Sequence, residues 1–386
     1  MRAYFRNALA SIFISEEGQI PALHGLRAIA ILMVILQHSF TDFSVYGGIE
    51  RESVPGFSFL RGMWVGVDLF FVLSGFLIGG VLVREFAGKQ VCLFQFWWRR
   101  ILRIWPAYFF VLFCMLVLLR LRPPEGYSEW PEILFFSNYI DSGILSGSWS
   151  IATEEQFYVF APLVLLLLAR VTGSLRAPRL LIAGLFFLSP IVRYGVWIKL
   201  GRFTWEDKAL LIPNIHLPFH THADALLVGF FLATLSRQKT GPCQRFGLLL
   251  LFSALCTFFL RRLNPVCFTY STLALFFGAI LWFAVTLPDN WPKRILSAKI
   301  LYPIARLSFG MYLCHRLVSP NMAALVYGLH PTKYPLLSLV LTFLLTSLAT
   351  FAAAFLLYLL VERPFLNLRR SRGRLEVLAQ RATGSR

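Results

Sequence analysis

Runs of about 17 to 25 mostly apolar residues recur from one end of the chain to the other, separated by short segments in which Arg, Lys, Pro and Gly collect. At 1.5 Å rise per residue, a helical run of that length matches the hydrocarbon thickness of a bilayer. The pattern predicts an all-α fold: a polytopic membrane bundle of about ten transmembrane helices near 26–40, 62–83, 101–119, 149–169, 180–200, 217–236, 245–262, 270–288, 300–320 and 336–361. Residues 29–36 have the length of a signal-peptide core, but no small-residue cleavage site follows, so the segment is read as the first span.

Basic residues set the expected orientation, because connections rich in Lys and Arg stay cytoplasmic. Of the 37 Lys and Arg, 24 fall in the two termini and the connections that alternate with them, 11 on the other side, and Arg27 and Arg316 within spans. Both termini are therefore expected in the cytoplasm. The same dispersal accounts for the net charge of +18 without nucleic acid, since the charges form short clusters at helix ends, such as RRSRGR at 369–374, that suit anionic membrane lipids. The chain is 57% hydrophobic and shows no internal repeat, long linker or low-complexity tract. Residues 1–386 are expected to form one membrane domain, with a core at 21–365 and a basic tail at 366–386, in a bacterial-type inner membrane. The six cysteines show no CxxC pair and no zinc-ligand spacing, so most are expected to be small apolar fillers and no metal site is expected.

Ionisable groups at membrane depth are costly and mark polar cavities. Five constellations qualify. In HGLRAIAILMVILQH (24–38), Arg27 and His38 are eleven residues apart, which places both on one helix face about 16 Å from each other along the axis. GVDLFFVLSGFLIGG (66–80) carries Asp68 and Ser74 beside glycines that suit close helix packing. FWWRRILRIWPAYF (96–109) sets Arg100 and Arg103 one turn apart, a geometry that grips phosphate through paired N–H donors and that positive-inside anchoring explains equally well. SWSIATEEQFYVFAP (148–162) holds Glu154 and Glu155, at most one of which is expected to face a given cavity, with Ser148 or Ser150 as a helix N-cap. SFGMYLCHRLV (308–318) places Tyr312 and His315 on one face.

By this topology His38, Asp68, Glu154 and His315 fall at middle-to-outer depth, and Arg27, Arg100, Arg103 and Glu362 of VERPF at the cytoplasmic end. A basic mouth suits a phosphorylated donor such as acyl-coenzyme A. A His paired with a carboxylate suits deprotonation of a hydroxyl acceptor. A proton-coupled transporter of a small polar or glycosylated substrate is the alternative, because intramembrane His and carboxylates also make proton relays. Transporters tend to repeat interrupted spans in two halves, and Pro106, Pro162 and Pro190, expected to interrupt theirs, fall in no matching halves. A membrane acyltransferase of a different fold would use a late His with a polar partner, for which His315 and Asn321 are the match.

The ordered series LHGLRAIAILMVILQH, GVDLFFVLSGFLIGG, RRILRIWPAYF, SWSIATEEQFY, ADALLVGFFLA, SFGMYLCHRLV and VERPF, over residues 21–365, resembles the acyltransferase 3 family of membrane O-acyltransferases. The resemblance implies a ten-helix domain that passes an acyl group, often acetyl, from cytoplasmic acyl-coenzyme A to a hydroxyl of a carbohydrate or lipid-linked glycan. It puts the family's Arg-x10-His signature on Arg27 and His38, its R-x-x-R on Arg100 and Arg103, its ExxFY element on Glu154, Phe157 and Tyr158, and its final E-x-P on Glu362 and Pro364. His38 is then the expected base or acyl carrier, with Glu154 or Asp68 orienting it, and the three arginines the expected donor-binding set. Two positions depart from the family pattern: His24 stands where an acid is usual in LDGLR, and His222 stands where R-x-D-A-L has its arginine, two residues before Asp224. Longer members carry an extracytoplasmic hydrolase-like domain after the last helix, and its absence from these residues weakens the expectation of a large surface polysaccharide as acceptor.

Overall fold

Alternating apolar runs and basic breaks give helices throughout the computed structural model, which describes residues 2–14, 20–47, 56–87, 92–119, 125, 128–236, 244–329 and 335–368. The principal elements are α1 (Arg2–Ile12), α2 (Pro21–Gly47), α3 (Gly66–Ala87), α4 (Leu93–Phe113), α5 (Ser148–Thr172), α6 (Arg176–Lys199), α7 (Asp224–Leu235), α8 (Gln244–Leu263), α9 (Pro265–Thr286), α10 (Leu301–Leu329) and α11 (Pro335–Leu357). No strand occurs among the described residues. RRSRGR and the rest of the tail from 369 lie outside them, as does Cys243.

Among the described residues eight segments are long and apolar enough to cross a membrane: Pro21–Tyr46, Phe59–Phe86, Leu93–Val117, Ser148–Leu168, Arg176–Lys199, Gln244–Leu263, Pro265–Thr286 and Pro335–Leu368. The chain is a multi-pass integral membrane protein. Two of the ten expected spans take another form. α10 has 29 residues, and Arg306, His315 and Arg316 set it apart from the eight. The stretch expected as one helix over 217–236 is broken into Phe219–His222 and the 12-residue α7, preceded by a π turn over Ile212–His216. Pro213 and Pro218 account for the breaks, since neither can donate a helical hydrogen bond, and α7 alone is about 18 Å long.

Elsewhere proline does not interrupt. Pro106, Pro162 and Pro190 lie inside continuous helices, because neighbouring groups at membrane depth can re-satisfy the freed carbonyls. The last helix widens into a π segment, Tyr358–Glu362, against which α1 docks: the Tyr4 hydroxyl donates to the Leu359 carbonyl at 2.9 Å and the hydroxyls of Ser11 and Tyr358 meet at 3.0 Å. Cys267 and Cys314 are buried, Cys114 is half-buried, and Cys92 and Cys256 are exposed, so the filler reading holds for a minority of the five described cysteines.

α3, α7 and α9 form the centre of the bundle, and α6 and α8 lie at its periphery with exposed Leu and Phe. The central contact depends on two glycines. A Cβ on Gly75 would lie 2.1 Å from the Leu226 carbonyl oxygen, and one on Gly229 would lie 2.1 Å from that of Val72, so the backbones of α3 and α7 touch where any other residue would separate them. Gly229→Ala should therefore cost about 1–3 kcal/mol through overpacking. The check is the thermal unfolding midpoint in detergent, which should drop by several degrees; an unchanged midpoint would contradict this packing.

Candidate active site

α2, α3, α4 and α5 enclose a cavity of about 600 Å³. α2 contributes Arg27, α3 Ser74, α4 Arg100 and Arg103, and α5 Glu154 and Tyr158. The wall is organised around Glu154, whose Oε1 accepts from the Ser74 hydroxyl at 2.7 Å and whose Oε2 accepts from the Tyr158 hydroxyl at 2.7 Å. Tyr158 lies four residues beyond Glu154, so the two side chains share a helix face. Arg27 Nε is buried and donates to no atom among the described residues. A half-buried arginine with a buried free donor, on a wall that also holds Arg100 and Arg103, fits an anion such as a phosphate.

The expectation that only one of Glu154 and Glu155 faces a cavity is overturned, because both line this one. Glu155 turns its Oε2 to Trp105 Nε1, at 3.2 Å, so the adjacent carboxylates diverge yet border the same wide space. The expected separation by depth also changes. Glu154 shares its cavity with Arg27, Arg100 and Arg103, not with His38.

A smaller cavity of about 70 Å³ continues from the first, sharing Arg27, Ser74, Ile151, Glu154 and Phe309, and reaches Ser150 and Tyr312. The Tyr312 hydroxyl donates to the Gly147 carbonyl at 3.0 Å and lies 2.6 Å from the Ser150 hydroxyl. The N-cap of α5 is thus Gly147 in a left-handed conformation, not Ser148 or Ser150. Ser148 instead donates to Glu132 and Ser137, each at 2.9 Å.

Beyond Tyr312 stand two histidines. His315 Nδ1 lies 2.6 Å from the Tyr312 carbonyl, which can only accept, so Nδ1 carries the proton and Nε2 is the accepting nitrogen. That Nε2 is buried and has no hydrogen-bond partner among the described residues. The His315 and His38 rings pack at 4.9 Å between centroids. Next to them, Arg316 Nη1 donates to Asp42 Oδ2 at 2.8 Å, tying α10 to α2 one residue from His315 and four from His38. Asn321 donates to the Leu317 carbonyl at 2.8 Å and is exposed, so the alternative pairing of His315 with Asn321 does not form.

Asp68 does not orient His38. Its Oδ1 lies 3.0 Å from His222 Nε2, both side chains buried, while His222 Nδ1 lies 2.5 Å from the His216 carbonyl. Both ring nitrogens of His222 thus face oxygen atoms, which fixes the ring between α3 and the π turn. His222 therefore meets a carboxylate where the resembling motif has an arginine. Asp224 is bound by a residue that sequence reasoning missed: Arg193 of α6 donates to its Oδ2 at 2.6 Å and Oδ1 at 3.3 Å, and also to the carbonyls of Cys267 (2.7 Å) and Thr221 (2.8 Å) and to Ser271 (2.6 Å). Its position among Ile191, Val192 and Trp197 was the available signal, an arginine inside an apolar run that loop counting had assigned to a connection. Glu132 was also missed; it is buried and accepts from Tyr108 at 2.7 Å, from Ser148 and from Ser142. Glu362, in the π segment, is buried against Gly310 and faces the charges of Arg103 and Arg306. Among the described residues no group of His, Cys, Asp and Glu is arranged to hold a metal ion.

The acyltransferase domain family model matches residues 20–359, and the chain belongs to that family. Over 329 residues it is 28% identical to the peptidoglycan O-acetyltransferase OatA of Listeria monocytogenes, covering 77% of this chain and 49% of that protein. Over 327 residues it is 27% identical to the O-acetyltransferase OatA of Staphylococcus aureus, covering 77% of this chain and 50% of that protein. The chain thus spans about half the length of these curated relatives. No solved structure matches it.

The buried Arg193–Asp224 pair gives a stability prediction. Asp224→Ala leaves the guanidinium buried without its charge partner and should cost about 3–5 kcal/mol. The double variant Arg193→Met/Asp224→Ala should recover part of that loss. Detergent-solubilised unfolding midpoints check this, and a single variant as stable as wild type would contradict the pairing.

Proposed function

We propose that this member of the acyltransferase domain family is a membrane O-acyltransferase that moves an acyl group, acetyl foremost, from acyl-coenzyme A to a hydroxyl of a cell-envelope glycan, free or lipid-linked. The observation that carries the reading is the order of groups: an arginine-lined cavity with a free donor on Arg27, a narrower cavity that ends at Ser150 and Tyr312, and the His315–His38 pair packed behind Tyr312. Arg27 and His38 are eleven residues apart on α2, about 16 Å along its axis, so a donor held by its phosphates at Arg27 needs a long thin arm to reach His38. The pantetheine arm of coenzyme A has that character. The names of the relatives support acetyl as the acyl group and peptidoglycan-like carbohydrate as the acceptor class.

Arg27, Arg100 and Arg103 bind the donor's diphosphate in this reading. Ser74 and Tyr158 hold Glu154 in the same wall, where its charge offsets the mutual repulsion of the guanidinium groups. His38 acts at the far end. In direct transfer it takes the proton of the acceptor hydroxyl as that oxygen attacks the thioester carbonyl; the C–S bond breaks and the proton passes to the leaving thiolate. In a relay, His38 itself attacks the carbonyl, releases the thiol, and gives up the acyl group to the hydroxyl in a second step. His315, whose ring packs on that of His38, replaces Glu154 and Asp68 as the positioning residue beside it.

The orientation that follows from the basic residues puts both termini and the arginine-lined cavity on the cytoplasmic side. Counting α10 and the broken segment ending in α7 as crossings gives ten. Proton-coupled transport fits less well: among the described residues one crossing is broken, without a counterpart in a second half.

The test is transfer of radiolabelled acetyl from acetyl-coenzyme A into envelope glycans and lipids, wild type against His38→Ala at matched membrane levels. Wild type should label a glycan fraction and His38→Ala should lose about 10²–10⁴-fold in rate. Equal labelling would remove His38 from the reaction, and no labelling by wild type would remove the reaction. Hydroxylamine-sensitive label on rapidly quenched protein separates the relay from direct transfer.

A further inference from the structure

Two side chains that line the arginine-bearing cavity have no part in the reading above: His24 on α2 and Arg84 on α3. Both lie toward one end. His24 precedes Arg27 by one helical turn, near the start of α2, and Arg84 lies ten residues beyond Ser74, about 15 Å further along α3 and close to its end. The Ser74 hydroxyl marks the Glu154 level of the cavity, so Arg84 and His24 mark its opposite, mouth end.

The charge pattern there differs from the interior. The carboxylates that line the cavity, Glu154 and Glu155, belong to its deep wall and are engaged by Ser74, Tyr158 and Trp105. Glu85, next to Arg84 in sequence, is taken by Arg99 of α4 and does not line the cavity. The His24 ring packs on Tyr302 of α10, with centroids 4.8 Å apart, which fixes it at the wall. The cavity thus presents two sets of basic side chains along its length, Arg27, Arg100 and Arg103 within and His24 and Arg84 at the mouth.

We infer that His24 and Arg84 form a second anion subsite that takes a phosphate monoester carried on the nucleotide end of the donor, distinct from the diphosphate bound deeper in. The inference rests on the proposed donor, because coenzyme A is a nucleotide with a diphosphate at one position of its ribose and a monoester at another. A fork donor and an imidazole from two different helices suit the tetrahedral, multiply accepting face of a monoester.

The experiment is equilibrium binding of coenzyme A and of 3′-dephospho-coenzyme A to the full, detergent-solubilised chain at fixed salt, read by titration calorimetry. Wild type should bind coenzyme A about tenfold more tightly than the dephospho form, equivalent to about 1.4 kcal/mol. His24→Ala/Arg84→Ala should bring that ratio close to one, and Arg84→Glu alone should do the same. Arg103→Ala should weaken both ligands together and leave the ratio in place. The ratio is measured within each variant, so partial loss of folded protein does not imitate the effect. A ratio near ten in the double variant, or near one in wild type, overturns the subsite while leaving the donor standing. Failure of wild type to bind either ligand overturns the donor reading, and the subsite with it.

Discussion

The carboxylate of Glu154 is the interaction on which the arrangement turns. It is an acid inside a membrane bundle, tolerable there because both of its oxygens accept hydrogen bonds, from Ser74 on α3 and Tyr158 on its own helix, and because arginines share its cavity. Ser74 reaches it from the helix position next to Gly75, where α3 lies with its backbone against α7. The close approach of α3 and α7 at Gly75 and Gly229 thus adjoins the hydroxyl, the hydroxyl binds the carboxylate, and the carboxylate forms part of the wall shared by both cavities. The same side chain borders the wide, basic space and the narrow passage to Tyr312.

The other buried charges follow the same rule without facing that space. Arg193 is satisfied by five hydrogen bonds and clamps the broken segment before α7 to α6 and α9. Asp68 and His222 pair with each other beside it. Glu132 gathers Tyr108, Ser142 and Ser148 and fixes the connection ahead of α5. These centres hold irregular backbone in place, which is what polar groups buried in protein at membrane depth are able to do. Arg27 lines a cavity and keeps a buried Nε without an acceptor among the described residues, and the two together mark that cavity as a place for a ligand.

Much of this was legible in the residue order, because hydropathy and basic clusters report directly on spans. The face shared by Arg100 and Arg103 and the neighbourhood of Tyr312 and His315 follow from helical spacing alone, and the end of the bundle that Arg27 shares with the two arginines follows from the basic-residue topology. Partnerships between distant helices did not. Asp68 was expected beside His38 on grounds of depth, and depth does not tell which of several helices an acid faces; His222, 154 residues away, takes it instead. His315 was visible as a candidate, but its packing on His38 depends on how α10 leans on α2. Likewise α1 is too short to register as a span, and the break before α7 was hidden by the apolar character of residues on both sides of it.

The central claim is that one continuous path connects a phosphate-binding cavity to His38. A structure of the full chain with coenzyme A bound tests it most directly. The diphosphate should lie among Arg27, Arg100 and Arg103, with the thiol directed past Ser150 and Tyr312 toward His38. A nucleotide bound outside the arginine-lined cavity, or a thiol ending away from the His38–His315 pair, would contradict the account.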